Sequence, residues 1–141
     1  MTDSGSVKQI NAPIGDRRDC NRSVSLTIFG VCYSMKNSKI PRRNAPGMLK
    51  HPKARQFEKD FLVQVRPEHR KELGSRKRPL RSIVTVYYPS LRQDLDPALV
   101  YDLLQTTRVV MNDRYIREKH EFAEVDRKNP RVEILVSEIT Q

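Results

Sequence analysis

The residues best suited to chemistry in this chain are Asp94 and Asp96. They sit one residue apart in RQDLDPALVYDLL, with Arg92 just before them. In an extended segment a spacing of two points both side chains to one face. Two carboxylates held together repel, and raise one another's pKa, unless a cation lies between them. Mg²⁺ prefers oxygen ligands and is often held by one or two carboxylates, with water and a substrate phosphate completing its octahedron. The pair is therefore a candidate metal site acting on a phosphate. Each aspartate also has a plainer reading. Asp96 precedes Pro97 and an apolar helical pattern, so taken singly it reads as a helix N-cap. Asp94 lies before that cap, where a helix needs nothing from it, and singly reads as an exposed loop carboxylate.

Composition indicates what such a site would meet. The chain has 141 residues, with 27 Lys+Arg against 17 Asp+Glu and a formal net charge of +10. A balance this basic points to a polyanionic partner, most often nucleic acid, with an acidic membrane surface as the rival. Cations would recruit the phosphates and a metal on the carboxylates would act on one of them. The candidate DNA-binding cations are Lys36, Lys39, Arg42 and Arg43 in a first basic loop, Arg76, Lys77 and Arg78 in a second, and Arg92. Such contacts carry no sequence information and make binding steeply salt-dependent. Arg92 has a second reading, as an ion-pair partner of Asp94. No apolar run is long enough to span a bilayer, and no signal pattern opens the chain. The expectation is a soluble, cytoplasmic protein. Cys20 and Cys32 form no C-x-x-C pair and His51, His69 and His120 are scattered, so no zinc pattern appears. Both thiols are expected free and reduced.

Hydrophobic patterning supplies the elements that must position the aspartates. Residues 1–22 read as a flexible polar tail. Ser23 to about Cys32 alternates Val24, Leu26 and Ile28 with polar neighbours, a strand with one buried face. A long basic loop follows, rich in proline. Pro52 to about Arg66 predicts a helix, with Phe57, Phe61, Leu62 and Val65 on one stripe. Glu68 to Leu73 adds a turn, and Gly74 a stop. Ser82 to Tyr88 is the clearest strand. Pro97 to about Gln105 is a helix on Leu99, Val100, Leu103 and Leu104. Arg114 to about Val125 reads as a strand with few apolar anchors, and Arg131 to Ile139 as a last strand with one wet face. The order β-α-β-α-β-β predicts a small α/β (α+β) domain over residues 23–141, a mixed sheet with two helices packed on it. A hydrophobic fraction of 37% makes its core modest. Asp113, in a probable turn after an apolar segment, is the candidate third carboxylate, although Asn112-Asp113 is also ordinary turn chemistry. Glu118, Glu121, Glu124 and Asp126 read mostly as a solvated strand face.

Three segments carry a resemblance. They are SLTIFGVCYSMKNSK (Ser25 to Lys39), IVTVYYPSLRQDLDPALVYDLL (Ile83 to Leu104) and VVMNDRYIREKHEFAEVDRKNPRVEILV (Val109 to Val136). In order and spacing they resemble the RusA-like Holliday junction resolvase family, common in phages and prophages, over nearly the whole chain after the tail. The resemblance implies a homodimeric, Mg²⁺-dependent endonuclease (Mn²⁺ possible in its place) that nicks branched DNA such as four-way junctions, in recombination and repair, within a bacterial host cell. No small-molecule cofactor is implied. Asp94, Asp96 and Asp113 match the family's metal-binding and catalytic aspartates. Two departures stand out. Pro97 and Val100 occupy places where the family often has asparagine and a helical lysine, and Lys119 only lies near the place of a late lysine. Lys36 and Lys39 are then candidates for the missing cation, or plain phosphate contacts.

Other readings of the same residues are a catalytically weak or inactive DNA-binding protein of this fold, an RNA-binding module, and a basic structural protein whose D-x-D is only a helix cap. The first draws on Val100. The second has no aromatic RNA-binding signature to support it.

Overall fold

Alternating β-branched residues in SVSLTIF bury Val24, Leu26 and Ile28 and leave Ser23, Ser25, Thr27 and Phe29 outward, as a strand with period two must. The same alternation recurs twice more, and the three strands share one core face. A computed structural model describes residues 22–34, 39–41, 48–50 and 52–139. Its elements are β1 (Ser23–Phe29), β2 (Lys39–Pro41), β3 (Met48–Lys50), α1 (Pro52–Gln64), β4 (Leu80–Tyr88), α2 (Ala98–Thr106), β5 (Ile116–Val125) and β6 (Arg131–Glu138). Short 3₁₀ turns occupy Pro67–His69 and Asp113–Tyr115.

The main sheet has four strands in the order β1-β6-β4-β5. β6 is antiparallel to both β1 and β4, whereas β4 and β5 are parallel. A parallel pair needs a crossover, and α2 supplies it. Both helices cover the same face. Phe57 and Phe61 of α1 join Leu99, Val100, Leu103 and Leu104 of α2 in one core with Ile28, Val84, Val86, Ile134 and Val136 of the sheet. A buried hydrogen bond of 2.8 Å between the hydroxyls of Tyr101 and Ser82 ties α2 to β4. The expected small α+β architecture, a mixed sheet bearing two helices, is therefore observed. β1 and β5 are the edge strands; β5 is the more exposed. Only Ile116 of it is buried, and its charged residues suit an edge that must not pair with other chains.

Several boundaries differ from those read in the sequence. β2 and β3 form an antiparallel ribbon inside the segment read as a loop; three residues per strand are too few to display a period. β1 stops at Phe29 because Gly30 takes φ +145° and turns its N–H to the carbonyl of Pro130 at 3.0 Å. α1 ends at Gln64, short of Arg66, because a residue before proline is driven from the helical region and Arg66 is extended at φ −94°, ψ 160°. Residues 1–21 of the expected tail, with Cys20, and also Lys36, Arg42, Arg43 and His51, lie outside the described residues. Among the described residues no helix is long and apolar enough to cross a membrane.

Candidate carboxylate site

β4 delivers the chain to the aspartates. Tyr88, its last residue, falls on the core side of the alternation and is buried. Its hydroxyl donates to the Asp94 carbonyl at 3.1 Å and accepts from the Asp96 N–H at 3.2 Å. One phenol thus fixes the backbone of both aspartates. Burial, above all, pushes this phenol up to about 12, so it remains a donor at every ordinary pH. Tyr88→Phe is expected to cost about 1 kcal/mol, because two part-buried backbone groups lose a partner. Urea unfolding of the two proteins checks this.

Both oxygens of the Asp96 carboxylate accept hydrogen bonds from the protein. Oδ1 accepts from the Ala98 N–H at 3.3 Å and Oδ2 from the Ser34 hydroxyl at 2.7 Å. The first is a local i to i+2 bond just before α2, whose N-cap is Pro97 and not the Asp96 read in the sequence. The second ties the segment to the chain leaving β1, whose end lies at the same edge of the sheet as the end of β4. Asp94 is exposed. It lines an open cavity of about 240 Å³ with Ser34, Tyr88, Arg92, Lys53 and Cys32 among its walls. Among the described residues no ion pair joins Arg92 to Asp94.

Lys53 was not foreseen. It sits in the first turn of α1, and nothing in PKARQF signals that this turn docks beside a loop some forty residues later. Its presence gives the cavity a cation, whereas Val100 is fully buried in the core. Cys32, behind the cavity, is a free thiol. Burial, and then the Asp96 carboxylate, push it up to about 12. It is therefore expected to resist thiol reagents at mildly alkaline pH in the native state and to react on unfolding, which mass analysis of the Cys32 peptide would show.

Asp113 is elsewhere. α2, about 13 Å long, carries the chain away from Asp96. Asp113 then precedes β5 where Ile116 pairs with Leu80, the opposite end of β4. Its N–H donates to Gln105 Oε1 at 3.0 Å, and Asn112 Oδ1 accepts from the Arg114 N–H at 2.9 Å, the local turn chemistry expected of Asn-Asp. Among the described residues no three His, Cys, Asp or Glu side chains group as a metal site. The three aspartates are thus not brought together within one chain, because a parallel crossover returns the chain to the start of the first strand.

The second basic loop is a tight turn closed by Ser75 and Arg78. Arg76 and Lys77 are exposed at its tip. Arg78 is occupied with buried Glu138 at 3.2 Å, so its role in the resting fold is structural. All three lie at the Asp113 end. Lys39 falls in β2. Glu118 bonds Arg81 and His120, and Asp126 bonds Arg131 at 2.7 Å; these hydrogen bonds hold both carboxyls below the usual range. That agrees with their reading as a solvated face. A comparison with protein-family models finds no match, and neither does a comparison with curated proteins.

Proposed function

We propose that this protein is a Mg²⁺-dependent endonuclease that nicks branched DNA, acting as a homodimer. One observation carries the reading: exposed Asp94 lines a cavity with Lys53, Arg92 and Ser34, and the Ser34 hydroxyl also holds Asp96, in a chain of net charge +10. The resemblance to RusA-like resolvases supports the same reaction and supplies the substrate class. Asp94 and Asp96 would hold the metal. When bound, Mg²⁺ supplies Lewis-acid polarisation of the scissile phosphate and favours deprotonation of the attacking water. Lys53 and Arg92 would neutralise the phosphate as negative charge grows, the task that a lysine at position 100 would otherwise serve. Ser34 and the Ala98 N–H orient Asp96.

Asp113 enters this reading from the second copy. In a two-fold dimer, a contact of one end of the first chain with the other end of the second is repeated in reverse. The Asp113 end of one copy, with Arg76 and Lys77, would complete the Asp94–Asp96 end of its partner. Two equivalent sites would then face the two strands of a symmetric junction.

A non-cleaving DNA-binding role is favoured by one feature, the apolar Val100 buried in α2. Incubation with a labelled four-way junction, with linear duplex and with RNA of the same sequence, in Mg²⁺ and in EDTA, separates the readings. Mg²⁺-dependent cuts confined to the junction support the nuclease. Tight junction binding without cuts in Mg²⁺ or Mn²⁺ supports the non-cleaving role.

A further inference from the structure

At the end of the sheet away from Asp94, the molecule has a second concavity of about 350 Å³, lined by Ser75, Arg76, Pro79, Arg114, Tyr115 and Arg117. Three of its six walls are guanidinium side chains and none is a carboxylate. Neighbouring arginines are neutralised within the fold: Arg78 by Glu138, Arg81 by Glu118 and Arg108 by Glu72. Among the described residues no ion pair engages Arg76, Arg114 or Arg117.

The fold brings these three together from separate places. Arg76 tops the turn that leads into β4, and Arg114 lies in the 3₁₀ turn before β5. Arg117 owes its place to an irregularity. The β4–β5 ladder pairs Leu80 with Ile116 and then Arg81 with Glu118, skipping Arg117. A residue left out of a ladder in this way is one whose side chain is re-aimed. Gly74, at φ +99°, lets the preceding chain close against Tyr115; a Cβ there would lie 3.1 Å from the Tyr115 Cβ and 2.9 Å from Leu80. The Tyr115 hydroxyl accepts from Arg114 at 3.3 Å, which leaves its own proton to donate. Guanidinium forks, a phenol and the Ser75 hydroxyl make a concave set of donors, the complement of a tetrahedral oxyanion.

We propose that this cavity binds a phosphate group of a DNA strand, gripped by Arg76, Arg114 and Arg117. Within one chain the pocket lies apart from the Asp94–Asp96 segment, and its occupancy does not require that the protein cut DNA. It assigns a role to Arg114 and Arg117 and gives the strand a fixed anchor besides the diffuse attraction of a basic surface.

The test uses the full chain with ¹⁵N-labelled arginine. Titration with inorganic phosphate is expected to shift the Arg76, Arg114 and Arg117 Nε–H signals along one saturating curve. Shifts that are small, linear and alike for all arginines would show only general ionic strength and would overturn the proposal. The second arm measures DNA binding by Arg114→Gln/Arg117→Gln against the charge-matched Arg127→Gln/Lys128→Gln, whose residues are exposed in the β5–β6 turn. The pocket pair is expected to weaken a single strand on the order of tenfold and to flatten the salt dependence by about 1.4 in log–log slope. Equal weakening by both pairs would overturn the proposal, since net charge alone would then explain it. Strands with a 5′-phosphate and a 5′-hydroxyl identify the source. A preference for the former, lost in the pocket pair, marks a terminal phosphate; no preference, with the loss retained, marks an internal diester. Junction cutting in Mg²⁺ is recorded separately, so loss of the nuclease reading leaves this result standing.

Discussion

A one-to-one mixture of Asp94→Asn and Asp113→Asn, refolded together, is expected to nick a four-way junction in Mg²⁺, although neither variant does so alone. The expectation rests on where β4 places its neighbours. The strand measures roughly 26 Å from first to last Cα, with the Asp94–Asp96 segment after its end and Asp113 beside its start. If a site takes its aspartate pair from one copy and Asp113 from the other, half of the mixed dimers' sites are whole. Random pairing then restores roughly a quarter of the wild-type sites. A mixture as inert as its components would mean that Asp113 serves within its own chain, or serves only the turn.

Phe61→Ala should give the largest loss of stability, about 3–5 kcal/mol. Phe61 is fully buried and meets Phe57 edge to face with centroids 6.0 Å apart. α1 carries no acidic residue in its first turn and no basic residue in its last, so its ends gain nothing from the helix dipole. Its docking rests on the two aromatic rings and Ala54, with the Gln64 side chain bonding the Phe29 backbone twice at 2.8 Å. Domains of this size are commonly stable by only about 5–15 kcal/mol, so the loss would also reach the carboxylate cavity through Lys53. Urea denaturation should show a lower midpoint at unchanged slope. Leu62→Ala, one residue on but exposed, should change stability by no more than about 0.5 kcal/mol.

The contrast between Phe61 and Leu62 shows what patterning reveals. Both were placed on one apolar stripe, and the structure buries Phe61 while leaving Leu62 45% exposed. Strands that alternate cleanly, such as β1 and β4, were legible because period two leaves no other solution for a one-sided core. β2 and β3 were not, since three residues carry no period. At the site, the D-x-D pair and the bond of Asp96 to the start of α2 were legible because they are local, although the N-cap itself is Pro97. Lys53 and Asp113 were not placed, because their relation to Asp94 is made by the packing of α1 and by the crossover through α2. The sequence motif assembled three aspartates by order alone. The sheet's topology separates the third.

The central claim is that the Asp94–Asp96 cavity cuts DNA. Its most direct test is cleavage of a four-way junction, labelled in turn on each 5′ end, by wild type and by Asp94→Asn in Mg²⁺. The account predicts paired cuts at symmetric positions in opposing strands by wild type. It predicts at least a hundredfold loss on removing one carboxylate charge (on the order of what a charge-stabilising group contributes), with no loss of junction binding or melting temperature. Equal cutting by both proteins, or binding by both with no cuts in Mg²⁺ or Mn²⁺, would contradict it.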